Sequence, residues 1–167
     1  RTAYWHSDET FEISGWAFER GMDFSEQSPT IRVRLRSRGQ PDLEAEVERV
    51  DEPRANTGIK DIQLDYTAAG FVARFKLADL IRLGQHHRRT WRVVLTVSCG
   101  RRSMTGSLKR RTRFGSAEQL LARTFDGVQV LPVWRRGPGL SLVVSRPAAL
   151  ATDCTVEGRR VSVELAL

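Results

Sequence analysis

The stretch Trp91-Arg92-Val93-Val94-Leu95-Thr96-Val97 decides the fold. Trp91, Val93, Leu95 and Val97 fall on alternate positions, and successive side chains of an extended chain leave opposite faces. One face is therefore wholly apolar while Arg92 and Thr96 stand on the other, the pattern of a half-buried β-strand. Working outward, the alternation returns at Phe71, Ala73, Phe75 and Leu77 after Gly70, at Ile31, Val33 and Leu35, and at Leu43, Ala45 and Val47. It also runs from Phe11 and Ile13 through Gly15 toward Trp16 and Phe18. Gly100-Arg101-Arg102 turns the chain into a weaker strand on Met104, Gly106 and Leu108, and residues 78–82 have room for one helical turn before Gly84. Six or seven short strands within about 110 residues, joined by turns, predict an antiparallel β-sandwich.

Beyond Phe114-Gly115-Ser116 a second β-rich unit is expected. A short helix over residues 117–123 leads to Val128, Val130, Pro132 and Trp134 on one face, a turn at Gly137-Pro138-Gly139, and strands on Leu140, Leu142 and Val144 and on Val161, Val163, Leu165 and Leu167. Four strands make a marginal core in a unit this small. The expected division is thus a β-sandwich module over residues 1–112 and a second, smaller β-sandwich unit over 113–167, incomplete or packed on the first.

Charge placement carries the functional reading. The chain has 167 residues with 27 Lys+Arg against 20 Asp+Glu, a net charge of +7, 40% hydrophobic and 28% charged residues. That composition excludes a charged disordered tail, and the apolar runs are too short to span a bilayer. Residue 1 is Arg rather than Met and no secretory signal can be read, so the chain is expected to be a piece of a larger protein. Cys99 and Cys154 have no metal-ligand spacing and suggest a reduced compartment; adjacent His86 and His87 read as a wet loop.

Alternate Arg32, Arg34 and Arg36 against Glu44, Glu46 and Glu48 read as a hairpin ladder, Arg36 facing Glu44, Arg34 facing Glu46 and Arg32 facing Glu48. Its arginines are structural on that reading. The other cations concentrate in residues 82–113, which hold ten Lys and Arg and no acid. Arg88, Arg89, Arg92, Arg101, Arg102, Arg110, Arg111 and Arg113 are the candidate phosphate contacts, since the planar guanidinium holds a phosphate with two hydrogen bonds. The competing reading is a protected strand edge and a solvated basic linker. Trp5 and Trp134 are candidate stacking platforms for a ligand ring, whereas Trp16 and Trp91 belong in the core. No nucleophile elbow, zinc helix, phosphate-cradling glycine loop or useful carboxylate pair is present, so no catalytic residue, metal or cofactor is assigned. No recognition helix, RNP-like strand or zinc-finger spacing supports nucleic acid as a partner.

Trp5, the run from Phe11 to Asp23 (Phe-Glu-Ile-Ser-Gly-Trp-Ala-Phe-Glu-Arg-Gly-Met-Asp), Ile31 to Leu35, Arg54-Ala55-Asn56 and Asp65-Tyr66-Thr67-Ala68-Ala69-Gly70-Phe71 together form a further pattern. It resembles accessory β-sandwich modules of actinobacterial cell-wall polymer transferases, proteins related to teichoic-acid glycosyltransferases and CDP-glycerol glycerophosphotransferases. Phe114-Gly115-Ser116-Ala117 and Gly127-Val128-Gln129-Val130-Leu131-Pro132-Val133-Trp134 look like the start of a second such module. The resemblance implies an immunoglobulin-like module outside the catalytic domains, so that no catalytic residue carries over to this segment. It implies as partners an anionic polyol-phosphate wall polymer or its glycan, the parent's catalytic domains, another copy of the chain, and the anionic lipid of the cytoplasmic membrane face. The expected function is a non-catalytic module that holds polymer or positions catalytic domains. The alternatives are a ligand-free structural or oligomerising module and a generic polyanion binder.

Overall fold

The computed structural model describes residues 2–57, 64–84, 88–108, 120–135, 137, 139–147, 150–157 and 160–166, the last two segments by their backbone. It is all-β, with antiparallel pairing throughout. One sheet takes β1 (Thr2–Ser7), β2 (Thr10–Trp16), β5 (Glu46–Val50) and β6 (Gly70–Lys76) in the order β1-β2-β6-β5. The other takes β3 (Thr30–Arg36), β4 (Leu43–Glu44), β7 (Arg89–Cys99), β9 (Arg123–Phe125), β10 (Val128–Arg135) and β11 (Gly139–Ser145) in the order β4-β3-β7-β11-β10-β9. β8 (Arg102–Ser107) also pairs with β7, and β12 (Leu150–Glu157) and β13 (Arg160–Ala166) form a two-stranded sheet.

The predicted alternation sorts directly into a shared core. Phe11, Ile13, Phe71, Ala73 and Phe75 of the first sheet and Ile31, Val33, Leu35, Trp91, Val93 and Val97 of the second are buried in one cluster, with Val128, Val130, Leu140, Leu142 and Val144. β10 and β11 thus share a sheet and a core with β3 and β7; the expected boundary at residue 113 lies outside the described residues. The turn expected at residues 78–82 belongs to α2 (Leu77–Gly84), which buries Leu77, Leu80 and Ile81 at helical spacing. The helix expected over residues 117–123 is not found in its described part, because Arg123 opens β9 against Val130 and the preceding residues 120–122 are irregular.

The charge ladder is corrected. The register pairs Arg34 with Glu44, not with Glu46, and the strand then breaks at Ala45. The Ala45 N–H still bonds the Val33 carbonyl at 2.9 Å, after which β5 crosses to β6 in the other sheet. Alternation alone is equally satisfied on either side of the sandwich, so it does not reveal such a switch. Arg34 and Arg36 instead share Asp42, and Glu48 bonds Arg74 at 3.0 Å.

The resemblance motifs turn out to fasten loops. Asn56 Nδ2 donates to Asp65 Oδ1 at 2.9 Å and Thr67 Oγ1 at 3.0 Å, and its Oδ1 accepts from the Tyr66 N–H at 2.6 Å. Asp65 also accepts from the Thr67 N–H and hydroxyl, and these bonds, that from Asn56 first, hold its carboxyl below the ordinary range. Tyr66, wholly buried between Phe18 and Phe24, offers its hydroxyl oxygen to the Gly21 N–H. Asn56 and Asp65-Tyr66-Thr67 therefore explain how the β5–β6 connection is secured.

On the outer face of the first sheet, Glu12 is 4% exposed and accepts from Tyr4 Oη and from Arg74 Nε. Burial opposes its charge, but the bonds from Tyr4 and Arg74 and the nearby cations outweigh it, leaving the carboxyl below its ordinary value of 4.5. A depressed folded-state pKa contributes stability that is present above the unfolded value and lost as pH falls through the folded one. Thermal melts should therefore be flat from pH 7 to near 5.5 and fall steeply below about pH 4. Glu12→Gln should flatten that dependence and lower neutral stability by about 2 kcal/mol; an unaltered acid limb would show that Glu12 does not carry it.

Candidate arginine groove

A groove of about 870 Å³ opens on the outer face of the second sheet, where β3 ends, β7 begins and β10 turns into β11. Among the described residues six arginines line it, Arg36, Arg38, Arg88, Arg89, Arg92 and Arg135, against the single carboxylate of Asp42. Register explains the convergence. Arg36 lies opposite Arg92, Arg92 opposite Ser141, and Ser141 opposite Val133, so these four make one row across four strands. Residues directly opposite have Cβ atoms about 5 Å apart. Arg135 stands two residues beyond Val133, and the period of two returns it to the same face.

The cations differ in what they already hold. Arg36 grips Asp42 through both Nε (3.0 Å) and Nη2 (2.8 Å), which lowers the Asp42 carboxyl and raises the guanidinium. Arg89 Nη1 donates to the Arg38 carbonyl at 3.3 Å. The guanidiniums of Arg38, Arg88, Arg92 and Arg135 have no hydrogen-bond or ion-pair partner among the described residues, and all four side chains are exposed. A concave surface with four unengaged guanidiniums focuses a positive field, and donor-only side chains favour an anion able to accept several bonds at once.

The sequence-predicted contacts do not all converge. Arg88, Arg89 and Arg92 meet in the groove, together with Arg36, Arg38 and Arg135, which sequence reasoning left out. Arg36 was assigned to the ladder, and Arg135 is brought in by a strand 43 positions after Arg92. Arg101 and Arg102 lie at the other end of β7, where Arg102 pairs with Cys99, seven residues along the strand from Arg92 and so roughly 23 Å away. They border a separate hollow of about 350 Å³ that also contains Asp23 and Glu26, and Arg102 Nη1 is committed to the Gly21 carbonyl at 2.7 Å. Arg110, Arg111 and Arg113 lie outside the described residues.

Neither candidate stacking platform lines the groove. Trp5 sets its ring edge-on to Phe11, centroids 5.0 Å apart, and its Nε1–H donates to the Leu121 carbonyl at 2.8 Å. Trp134 is half-buried against the core on β10. Trp16 is half-buried against that core and Trp91 is fully inside it.

No protein-family model and no curated protein matches the sequence. Two solved structures share its fold. The crystal structure of S. aureus TarS residues 217–571 superposes with a TM-score of 0.61 at 14% identity, over 94% of this chain and 41% of that one. The crystal structure of S. aureus TarS gives 0.59 at 13% identity, over 97% of this chain and 27% of that one. The chain spans less than half of either structure, and at these identities what the three share is the arrangement of strands.

Proposed function

We propose that this segment is a non-catalytic accessory module of a bacterial cell-envelope polymer transferase, and that its arginine groove holds the anionic, teichoic-acid-like polymer near the parent's catalytic domains. The observation that carries the reading is the groove itself, six guanidiniums facing one carboxylate, on or beside three strands of one sheet. Polyol-phosphate polymer is a chain of negative charges, the ligand class such a surface attracts. Two further observations support it: a part of TarS, a teichoic acid glycosyltransferase, has the same arrangement of strands, and the strand and turn pattern resembles accessory modules of related enzymes. On this reading the parent works at the inner face of the plasma membrane, where anionic lipid offers the same cations a second surface.

The reading is tested by titrating the chain with a defined polyglycerol phosphate and with single-stranded DNA of matched charge, at low and at physiological salt. Binding that prefers polyglycerol phosphate and persists at physiological salt is expected. Reversing Arg88 and Arg92 to Glu should weaken it about 100-fold, whereas reversing Arg101 and Arg102 should change it less than about threefold. Equal binding to both polymers that disappears with salt would reduce the groove to generic polyanion attraction. No binding at either salt concentration would overturn the reading.

A further inference from the structure

β11 reads Gly139-Leu140-Ser141-Leu142-Val143-Val144, and every one of these residues is buried. Within that apolar strand Ser141 is 1% exposed and its hydroxyl has no hydrogen-bond partner among the described residues. A buried hydroxyl left unpaired destabilises a fold, and an alanine at the same place would not. Ser141 nevertheless lines the arginine groove, directly opposite Arg92. Arg92 in turn lies directly opposite Arg36, a like-charge pairing that also opposes folding. Asp42 neutralises Arg36, while Arg92 has no counter-charge among the described residues. An unsatisfied donor and an uncompensated cation, both costly and side by side at one point, identify a position built for something that accepts.

We infer that the floor of the groove is a phosphate seat, in which the Ser141 hydroxyl donates to one non-bridging oxygen of a phosphodiester while Arg92 and Arg135 hold the other. Guanidiniums donate and never accept, and both Asp42 oxygens are taken by Arg36 and Arg34. A sugar's hydroxyl protons would find acceptors on Ser37, Gln40 and Thr90, but a neutral ring would leave the charge of the guanidiniums unmet. A phosphate brings acceptors only. The seat thus takes the phosphate of the polymer and not its glycan. The inference rests on the polymer-holding reading for the source of that phosphate and on the groove alone for the seat.

Three ligands and two variants test it: polyglycerol phosphate, inorganic phosphate and uncharged dextran, against Ser141→Ala and Arg92→Gln. Ser141→Ala should lose about tenfold in affinity for polyglycerol phosphate. Its dependence of log K on log salt should be unchanged, since no charge is lost, and its melting temperature should be equal or higher. Arg92→Gln should lose a similar factor and also lower the salt slope by about 0.7. If polyglycerol phosphate binds and Ser141→Ala stays within twofold of the parent chain, the seat is overturned while the polymer-holding reading survives. If inorganic phosphate binds in a Ser141-dependent way and the polymer gains nothing over it, the seat stands and the polymer reading falls. Dextran binding as tightly as polyglycerol phosphate would overturn the selection of phosphate over sugar.

Discussion

Gly139→Ala is expected to lose about 4 kcal/mol, which for a chain of this length lowers the melting temperature by roughly 8–16 °C. Two causes add. Gly139 has φ +75°, a left-handed conformation that costs a residue with a Cβ about 1–2 kcal/mol. A Cβ there would also sit 2.1 Å from the Leu108 carbonyl oxygen and 2.9 Å from its carbon. That carbonyl cannot retreat freely, because it accepts from the Leu140 N–H at 3.2 Å, the bond that ties the end of β8 to the start of β11. Gly127 supplies the control. It has φ +69° with nothing within 4 Å of an added Cβ, so Gly127→Ala carries only the backbone cost, about 1 kcal/mol. Equal losses in chemical denaturation would show that the Leu108 contact does not matter.

Trp91 is the second position of large effect. Its side chain is fully buried on the core face of β7, so Trp91→Ala should cost about 3–5 kcal/mol through lost transfer energy and a cavity. Trp91→Phe behaves differently. The indole Nε1–H is buried without a partner among the described residues, and removing it returns about 1–3 kcal/mol, against a packing loss of about the same size. Phe should therefore leave stability within about 1 kcal/mol of the parent. A Phe variant as unstable as the Ala variant would show that ring volume dominates and that the unpaired N–H is nearly free of cost.

Both positions show what local pattern carries and what it does not. Alternation at Phe11–Ile13, Ile31–Leu35, Phe71–Phe75 and Trp91–Val97 was legible because burial on one face of a strand writes a period of two into the chain. The sheet to which a strand belongs writes no period. Residues 43–48 looked like one strand opposite Arg32–Arg36, yet only Leu43–Glu44 remains there, and β5 crosses to β6. The groove was half legible for the same reason. Arg88, Arg89 and Arg92 stood out as part of an acid-free run, but proximity along the chain joined them to Arg101 and Arg102 at the far end of β7. Arg36, Arg135 and Ser141 come to the groove only through register, from three other strands. Ser141 had no signal at all, since its significance lies in a burial that the residue type does not announce.

One edge of β7 is completed by two different strands, β8 beside Val94–Cys99 and β11 beside Arg89–Arg92. During synthesis these arrive at different times. β8 follows β7 through a tight turn, but Ser141 is made 49 residues after Arg92, which at about 5–20 residues per second is roughly 2–10 seconds. For that interval the backbone of Arg89–Arg92 is an open strand edge on a nascent chain, the kind of template that draws neighbouring chains on a polysome into aggregates. Arg88, Arg89 and Arg92 mark that same edge with positive charge, so two such nascent edges repel. The cations that gather at the groove in the finished fold thus flank the part of β7 whose edge is closed last.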